Sequence, residues 1–327
     1  MTLARHVRAL SDYSMVSTGE MALKIGINGT GLVQRASIEG IQQDAQQAAL
    51  DGFSSYWLAE HPSGGFDALT VLSLVGATVP DIELGTAIVP TFPRHPMTLA
   101  GQTLTAHQAC QGRLTLGIGL SHQVMMEAMG LAFEKPIGHL RDYLSVLMPL
   151  LETGQVSHQG NHYSCEGAFF QKPKQAPEVL VAALGPQALR VAGHRTGGTT
   201  LAWVGPKTIA SHIKPKLTEA ADRAGRPPPR ILATLPICVT DQPDRIRALI
   251  TQRLAFYAEL PSYRAMFERE GVKHPGDIAL VGSAAQVRDQ LEALNAAGVT
   301  DYAASIFATQ PEEQANTRGL LIDHILR

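Results

Sequence analysis

The chain has 327 residues, of which 45% are hydrophobic and 17% are charged, which supports a large buried core and excludes a wholly disordered chain. Its 27 basic and 29 acidic residues give a formal net charge of −2, so the charge balance favours neither nucleic acid nor an anionic membrane as a partner. The three cysteines, Cys110, Cys165 and Cys238, lie far apart and form no C-x-x-C pair, which is typical of a reducing cytosol and predicts a cytoplasmic protein.

The first residues differ from the rest of the chain. Residues 1–20 contain Arg5, His6 and Arg8 but no continuous apolar segment, so they do not have the pattern of a signal peptide. No apolar run anywhere is long enough to cross a bilayer. We expect residues 1–22 to form a disordered extension, with Met21 as a candidate original start, and residues 23–327 to form a single domain.

Apolar strands alternate with helices along the rest of the chain. The predicted strands cover residues 23–28, 54–59, 82–89, 113–118, 178–184, 199–204, 230–239 and 299–307. The predicted helices cover residues 37–50, 97–110, 138–152, 206–225, 283–298 and 312–326, with others after Asp67 and Pro186 and a broken helical region over 241–271. Turn residues and short β-prone segments predict a hairpin insertion over 154–174, after the fourth helix.

Eight strands, each followed by a helix, predict an α/β fold of the (β/α)8 or TIM-barrel type. A doubly wound sheet is the rival fold, but the chain shows no linker or composition shift that would divide it in two. In a (β/α)8 barrel the catalytic residues lie at the carboxyl ends of the strands. The search for a site therefore starts at those ends.

One predicted strand end is rich in glycine. Residues 111–122 begin as a turn, continue as a buried strand and end in a polar loop. Gly117 and Gly119 leave this end without side chains, which lets backbone approach a ligand closely, and Ser121 and His122 follow at the rim. A tight turn with packing glycines is the alternative interpretation.

Other strand ends carry candidate catalytic and substrate residues. These are Asn28, Glu60, His61, residues 88–91, Gly185, Pro186, Trp203 and Phe307. Glu60 and His61 are the most reactive pair, since a histidine near its free pKa exchanges a proton at neutral pH and a nearby carboxylate shifts that pKa. A rim pair that is hydrogen-bonded to loop backbone is the alternative.

Several known motifs are incomplete or absent. Gly185–Pro186 and Gly197–Gly198–Thr199 are candidate phosphate cradles beside buried strands. The dinucleotide fingerprint is not met, because Gln34 and His122 stand where its third glycine belongs; Glu60 at the end of strand two keeps a nicotinamide enzyme as a rival. The chain has no H-E-x-x-H motif, so we expect no bound metal, and it has no G-x-S-x-G elbow.

Taken together, the motifs resemble the bacterial luciferase-like family, and within it the branch that uses the deazaflavin coenzyme F420. The resemblance covers the chain from about Leu23 to its end. It rests on residues 59–61 (AEH), 84–90 (LGTAIVP), 112–119 (GRLTLGIG), 139–144 (HLRDYL) and 183–186 (ALGP).

The resemblance implies a (β/α)8 barrel with a flavin-type ring at the carboxyl end. It implies a non-proline cis peptide at Ala87–Ile88 beneath that ring, an acid–histidine pair at Glu60–His61, and phosphate contacts after strands four to six. The cofactor-binding residues that it implies are Glu60, Thr86, Ala87, Ile88, Gly117, Gly119, Ser121, His122, Gly185, Pro186, Gly198 and Thr199. A homodimer is the assembly that it implies.

Two residues depart from the pattern of related dehydrogenases. His122 stands where sugar-phosphate dehydrogenases of this type have a catalytic glutamate, which argues against their substrate. Gly197 stands where relatives commonly have aspartate before a Gly-Thr pair, so the role of that loop differs.

Three interpretations of function follow from the resemblance. The first is an F420-dependent oxidoreductase that transfers a hydride between the deazaflavin and a small organic substrate, with Glu60 and His61 as the catalytic residues. The second is an FMN-dependent monooxygenase that uses oxygen and a partner flavin reductase. The third is a flavin-binding barrel without catalysis. The substrate contacts that we expect are Asn28, Phe92, Trp203 and Phe307, although core packing explains the three aromatic residues equally well.

Overall fold

The structure, a computed structural model, describes residues 22–33, 37–61 and 65–326. The predicted disordered extension lies outside these ranges except for Ala22, as does Gln34 of the incomplete dinucleotide fingerprint. Within the described ranges, no helix has both the length and the hydrophobicity that a membrane span requires.

Twelve strands are described. In chain order they are β1 (Lys24–Asn28), β2 (Ser55–Leu58), β3 (Glu83–Thr86), β4 (Val89–Pro90), β5 (Leu114–Gly119), β6 (Gln155–Gln159), β7 (Ser164–Ala168), β8 (Glu178–Ala182), β9 (Gly198–Ala202), β10 (Arg230–Val239), β11 (Leu280–Gly282) and β12 (Asp301–Ile306). Eight of them pair in parallel in the order β1-β2-β3-β5-β8-β9-β10-β12, and β12 pairs with β1. The sheet is therefore closed, and the predicted (β/α)8 barrel is confirmed.

Helices cover the outside of the barrel. They are α1 (Thr30–Val33), α2 (Ile38–Leu50), α3 (Ala68–Thr78), α4 (Pro96–Ala109), α5 (Gln123–Ala128), α6 (Pro136–Thr153), α7 (Pro186–Arg195), α8 (Pro206–Thr208), α9 (Lys214–Arg223), α10 (Pro243–Arg253), α11 (Ala255–Glu259), α12 (Pro261–Glu270), α13 (Ala284–Ala296) and α14 (Pro311–Ile325), with a π-helical turn at Ile209–Ile213 and a 3-10 helix at Pro275–Ile278. The antiparallel pair β6–β7 is the predicted hairpin insertion after the fourth long helix.

Local sequence signals set several of the helix ends. Ser37 accepts a hydrogen bond from the amide of Gly40 at the start of α2, and Ser283 forms the predicted capping box at the start of α13. The helix predicted to begin at Gly138 begins at Pro136 instead, because proline is favoured at the first helical position. The strand predicted to reach residue 204 ends at Ala202, because Trp203 has φ +57°.

The third predicted strand is not continuous. It was expected over residues 82–89, but β3 ends at Thr86 and β4 resumes at Val89. The Ala87–Ile88 bond between them is cis and does not involve proline, as the family resemblance implied. β4 then pairs with β5 on the far side of this bond.

The barrel interior is closed at two levels. Near the amino ends of the strands, Arg230 pairs with Glu83, Glu178 and Asp301. Burial alone would lower the pKa of Arg230, but hydrogen bonds to Asp301 and Glu83 hold it above its usual range. One layer higher, a fully buried apolar plug fills the barrel; its members are Trp57, Leu180, Leu232 and Ala303. The inward-facing positions above this plug lie toward the carboxyl ends of the strands.

Candidate active site

A bowl opens at the carboxyl ends of the strands, directly above the Trp57 plug. Side chains alternate between the two faces of a strand, so the residues two positions beyond the plug face inward again. These positions hold Ala59, Ala182, Thr234 and Ser305, and the ends of the other strands carry Asn28, Ala87 and Ala202, so the residues at this rim are all small. All of them except Thr234 keep part of their surface accessible to solvent, whereas the plug below is sealed. The ring of small residues therefore leaves room for a ligand over an apolar floor.

The cis bond forms one wall of this bowl. The amide of Ala87 donates to the Leu58 carbonyl at 2.8 Å, and the Ile88 carbonyl accepts from the amide of Glu60 at 2.9 Å. Ala87 packs against the Trp57 plug, and the side chain of Ile88 lies beside Gly119. Contact of Ala87 and Ile88 with a cofactor ring stays a prediction.

Gly117 has a packing role that differs from the one expected. A Cβ atom on Gly117 would lie 2.0 Å from the carbonyl oxygen of Thr86, so the empty position faces β3 and not a ligand. A Cβ on Gly119 would lie 3.0 Å from Ile88 and 3.1 Å from Ala182, in the wall of the bowl. The expectation that Gly117 leaves space for a ligand is wrong, because neighbouring backbone fills that space. A direct cofactor contact of Gly119 stays a prediction.

Glu60 is held in an ion-pair network at the rim. Its Oε1 accepts from Nη1 of Arg94 at 2.7 Å, and its Oε2 accepts from the amide of Ala68 at 3.4 Å, at the start of α3. Arg94 also pairs with Asp67, which caps the same helix. The carboxylate of Glu60 thus anchors the β2 end to α3, which is the bracing role that had been the alternative interpretation.

His61 and His122 come from different strand ends and lie within electrostatic range of each other. Burial lowers the pKa of His122, and the nearby His61 lowers it further. The His122 ring also meets Tyr257 and Tyr263, with ring centroids 5.9 and 5.7 Å apart. His122 is therefore held in its neutral form at neutral pH, with one ring nitrogen protonated and the other free to accept.

The expected substrate residues have different surroundings. Trp203 lies 5.7 Å from the Tyr257 ring and so joins an aromatic wall that includes His122. Phe92 stacks on His139 at 3.8 Å, which braces the loop after β4 against α6. Phe307 packs against the apolar cluster that contains Cys238, and Arg253 lies over its ring. Asn28 accepts from the amide of Thr30 through Oδ1 at 2.9 Å. Of the aromatic residues, Trp203 fits the expected role best.

The prediction that Gly198 and Thr199 bind cofactor phosphate at the mouth is wrong. Both residues open β9, at the amino end of the barrel, in register with Leu180 and Val181. The Thr199 hydroxyl donates to the Val181 carbonyl at 2.8 Å, and a Cβ on Gly198 would lie 2.0 Å from the Arg230 carbonyl oxygen. Their backbone and side-chain groups are therefore used inside the barrel wall.

The start of α7 remains a candidate anion site. Gly185 follows β8 at the carboxyl end, is exposed, and has open space around its missing Cβ. No side chain caps α7, and Pro186 occupies its first turn. Free amides at a helix start attract negatively charged groups such as phosphate. Ser121, which adopts φ +60°, lies at the neighbouring β5 end.

Sequence reasoning missed several residues of the bowl. Thr234 lies in the wall between Ala202 and Ala303, and its buried hydroxyl has no hydrogen-bond partner among the described residues. Tyr257 and Tyr263 come from the region predicted only as broken helix. An inward alternation of small residues at strand ends is the signal that could have revealed the alanines. Nothing local in the sequence marks the two tyrosines.

The sequence matches a known family over most of its length. The profile described as luciferase-like monooxygenase matches residues 21–301. The chain belongs to the luciferase-like monooxygenase family. The matched range runs from just before β1 to the first residue of β12, and so spans almost the whole barrel.

Two sequence relatives of this luciferase-like chain are named as oxidoreductases, one of them as F420-dependent. An F420-dependent glucose-6-phosphate dehydrogenase from Microbacterium testaceum is 28% identical over 64% of this chain and 66% of its own length. A 5,10-methylenetetrahydromethanopterin reductase from Methanolobus tindarius is 25% identical over 85% of both chains. The alignment with the first relative thus spans slightly less than two thirds of that protein.

A solved structure supports the fold. The coenzyme F420-dependent tetrahydromethanopterin reductase from Methanopyrus kandleri superposes with a TM-score of 0.79 at 22% identity. The superposition covers 93% of this luciferase-like chain and 99% of the reductase. At this identity the likeness concerns the fold.

Proposed function

We propose that this chain is an F420-dependent oxidoreductase that transfers a hydride between the deazaflavin and a small organic substrate. The observation that carries the proposal is the bowl: small side chains line its wall, the Trp57 plug seals its floor, and the cis Ala87–Ile88 bond forms one side. The name of the F420-dependent glucose-6-phosphate dehydrogenase relative supports F420 as the cofactor.

The residues present fit such a cofactor. A flat heteroaromatic ring needs a shallow apolar floor, which the plug and Ala87 supply. A ring carbonyl needs a donor, and the unpartnered hydroxyl of Thr234 is available in the wall. A phosphate group needs clustered amides, which the uncapped start of α7 at Gly185 supplies. When bound, F420 would supply a carbon that accepts or donates a hydride.

The remaining work is done by side chains around the substrate. His61 would hold or move the proton that accompanies the hydride, at one of its ring nitrogens. His122, kept neutral by burial and by His61, would accept or donate a hydrogen bond without adding charge. Trp203, Tyr257 and Tyr263 form an aromatic wall that excludes water from this side of the bowl.

The test is a titration of purified protein with F420 and, separately, with FMN, followed by fluorescence and calorimetry. We expect saturable binding of F420 and transfer of one hydride per bound cofactor to a suitable carbonyl or imine. A Gly185→Asp variant places a negative charge at the start of α7 and should weaken F420 binding by at least about tenfold. Tight binding of FMN alone would overturn the proposal.

An FMN-dependent monooxygenase is the second candidate, and the family description favours it. It would require a partner reductase to supply reduced FMN. Oxygen uptake that depends on both reduced FMN and substrate would support it, and the absence of any oxygen dependence would remove it. A barrel that binds flavin without catalysis would instead bind cofactor and transfer no hydride.

A further inference from the structure

A second recess lies on the outer, helical side of the barrel, between α6, α7 and α9. Its volume is about 350 Å³, and small-molecule sites typically measure roughly 300–1,000 Å³. Four arginines line it: Arg141, Arg190, Arg195 and Arg223. Because the whole chain has a net charge of −2, this cluster is a local feature and does not reflect a basic composition.

The recess is built by a close approach of two helices. A Cβ atom on Gly193 of α7 would lie 2.3 Å from the carbonyl oxygen of Leu217 in α9, so only glycine fits there. The floor beside this contact is apolar, since Val191 is 6% and Ala220 is 9% exposed. The recess thus combines an apolar floor with walls of four arginines, His194 and a single carboxylate, Glu219.

Most of the positive charge in the walls has no anionic partner within the described residues. Arg223 pairs with Glu219 at 2.6 Å. Nη1 of Arg195 donates to the Arg141 carbonyl at 3.2 Å and to Oγ of Ser145 at 2.6 Å, which fixes this guanidinium between α6 and α7. No described carboxylate lies within ion-pair distance of Arg141, Arg190 or Arg195. Arginines held close together without counter-ions are arranged for an anion from outside.

We propose that this recess binds a small organic phosphate. A guanidinium presents a planar fork of donors that matches phosphate oxygens, and a phosphate dianion has enough oxygens to engage two such forks at once. Arg141 and Arg190 are both exposed and unpaired, so they are the residues that would grip it. Val191 and Ala220 would contact the carbon portion of the ligand, which inorganic phosphate lacks.

The test uses phenyl phosphate as the probe, titrated calorimetrically into the full chain without cofactor at fixed ionic strength. We expect saturable binding by the wild type and at least about tenfold weaker binding by the Arg141→Gln/Arg190→Gln variant, since two charge-assisted contacts are lost. The Arg141→Lys/Arg190→Lys variant keeps the charges but not the forks and should lie between them. Inorganic phosphate should bind the wild type at least about threefold more weakly than phenyl phosphate, because it lacks the apolar contact.

The control is Lys172→Gln/Lys174→Gln, which removes two exposed positive charges outside the recess. It should bind phenyl phosphate as the wild type does. Equal binding by the wild type and the arginine double variant would overturn the proposal, and so would an equal loss in the lysine control. Because the start of α7 is itself proposed to bind phosphate, the same titrations are repeated in the Gly185→Asp background, where the loss on replacing Arg141 and Arg190 should persist. A loss that disappears in that background would assign the binding to the start of α7, so this outcome is distinguishable from failure of the proposed oxidoreductase function.

Discussion

Thr86 of β3 and Gly117 of β5 are joined by two hydrogen bonds, and we call this pair the clasp. The Thr86 hydroxyl donates to the Gly117 carbonyl at 2.8 Å and accepts from the Gly117 amide at 2.9 Å. The clasp lies one residue before the cis Ala87–Ile88 bond, and both residues are buried. It therefore joins β3 to β5 directly beneath the bowl.

A Cβ at Gly117 should destabilise the fold. Gly117→Ala puts a methyl group 2.0 Å from the Thr86 carbonyl oxygen, and this backbone must move to accommodate it. We expect a loss of about 1–3 kcal/mol in the free energy of unfolding, measured with urea. Gly101→Ala in α4, where an added Cβ meets nothing within 4 Å, is the control and should be neutral or stabilising. Equal midpoints for the two variants would contradict the close approach.

The hydroxyl of Thr86 is predicted to matter more than its methyl group. Thr86→Val keeps the shape but leaves a buried amide and carbonyl of Gly117 unpaired, which should cost about 1–3 kcal/mol. Thr86→Ser keeps the hydroxyl and should lose less. Urea midpoints of both variants measure the difference. If valine proved less destabilising than serine, the clasp would contribute nothing net.

Removing the Thr234 hydroxyl should have opposite effects on the free energy of unfolding and on the affinity for F420. Its buried hydroxyl has no partner in the described part of the chain, so Thr234→Val should leave the free energy of unfolding unchanged or raise it by up to about 1 kcal/mol. The same variant should bind F420 about tenfold more weakly if this hydroxyl donates to the ring. Thr234→Ser should retain affinity. Unchanged affinity in the valine variant would remove Thr234 from the proposed site.

His61 is the residue on which turnover should depend. His61→Ala should slow hydride transfer by about 10²–10⁴-fold with F420 affinity nearly unchanged, since general acid–base groups contribute that much. Single-turnover rates at saturating cofactor measure this step. His274→Ala, at an exposed position, is the control and should transfer hydride at the wild-type rate. A rate for His61→Ala within about threefold of the wild type, instead of the expected loss, would leave this residue with a structural role only.

Stability should fall as the medium is acidified, in part through His139. Burial, followed by the charge of His162, lowers the pKa of His139 to about 4 from 6.5. Because burial keeps His139 neutral in the folded state, the unfolded chain takes up a proton first as the pH falls below 6.5. The free energy of unfolding is therefore highest above pH 6.5 and falls as the pH drops toward 4. We expect the His139 contribution to be on the order of 2 kcal/mol over that range. His139→Gln should flatten the slope, whereas His274→Gln should not; identical slopes would contradict the assignment.

The sequence predicted the order of the strands and helices, but it did not predict at which end of the barrel each glycine-rich turn lies. Alternating apolar segments predicted the barrel and the hairpin, because burial on both faces leaves a clear pattern in each strand. Glycine-rich turns look alike at either end of a strand, which is why Gly198 and Thr199 were assigned to the mouth although they lie at the opposite end. Register, which depends on distant pairing, decides between the two.

The residues in the wall of the bowl could not be predicted from local sequence either. Ala59, Ala182 and Ala202 carry no chemistry of their own, and their importance comes from what they leave empty above Trp57. Tyr257 and Tyr263 meet His122 only through contacts between segments more than a hundred residues apart. Such contacts leave no local pattern. The sequence pattern indicated the Glu60–His61 pair, but it did not indicate that Arg94 is the ion-pair partner of Glu60.

Trp57 divides the barrel into two compartments that can vary independently. The ionic cluster around Arg230 lies on one side of the indole and the bowl on the other, with no charged side chain in the plug between them. Replacing Glu83 or Glu178 would therefore alter thermal tolerance while leaving the mouth intact. Reshaping the alanine rim would in turn change which molecules are accepted, without loosening the base. The indole of Trp57 thus separates the residues that set the stability of the barrel from those that set its ligand selectivity.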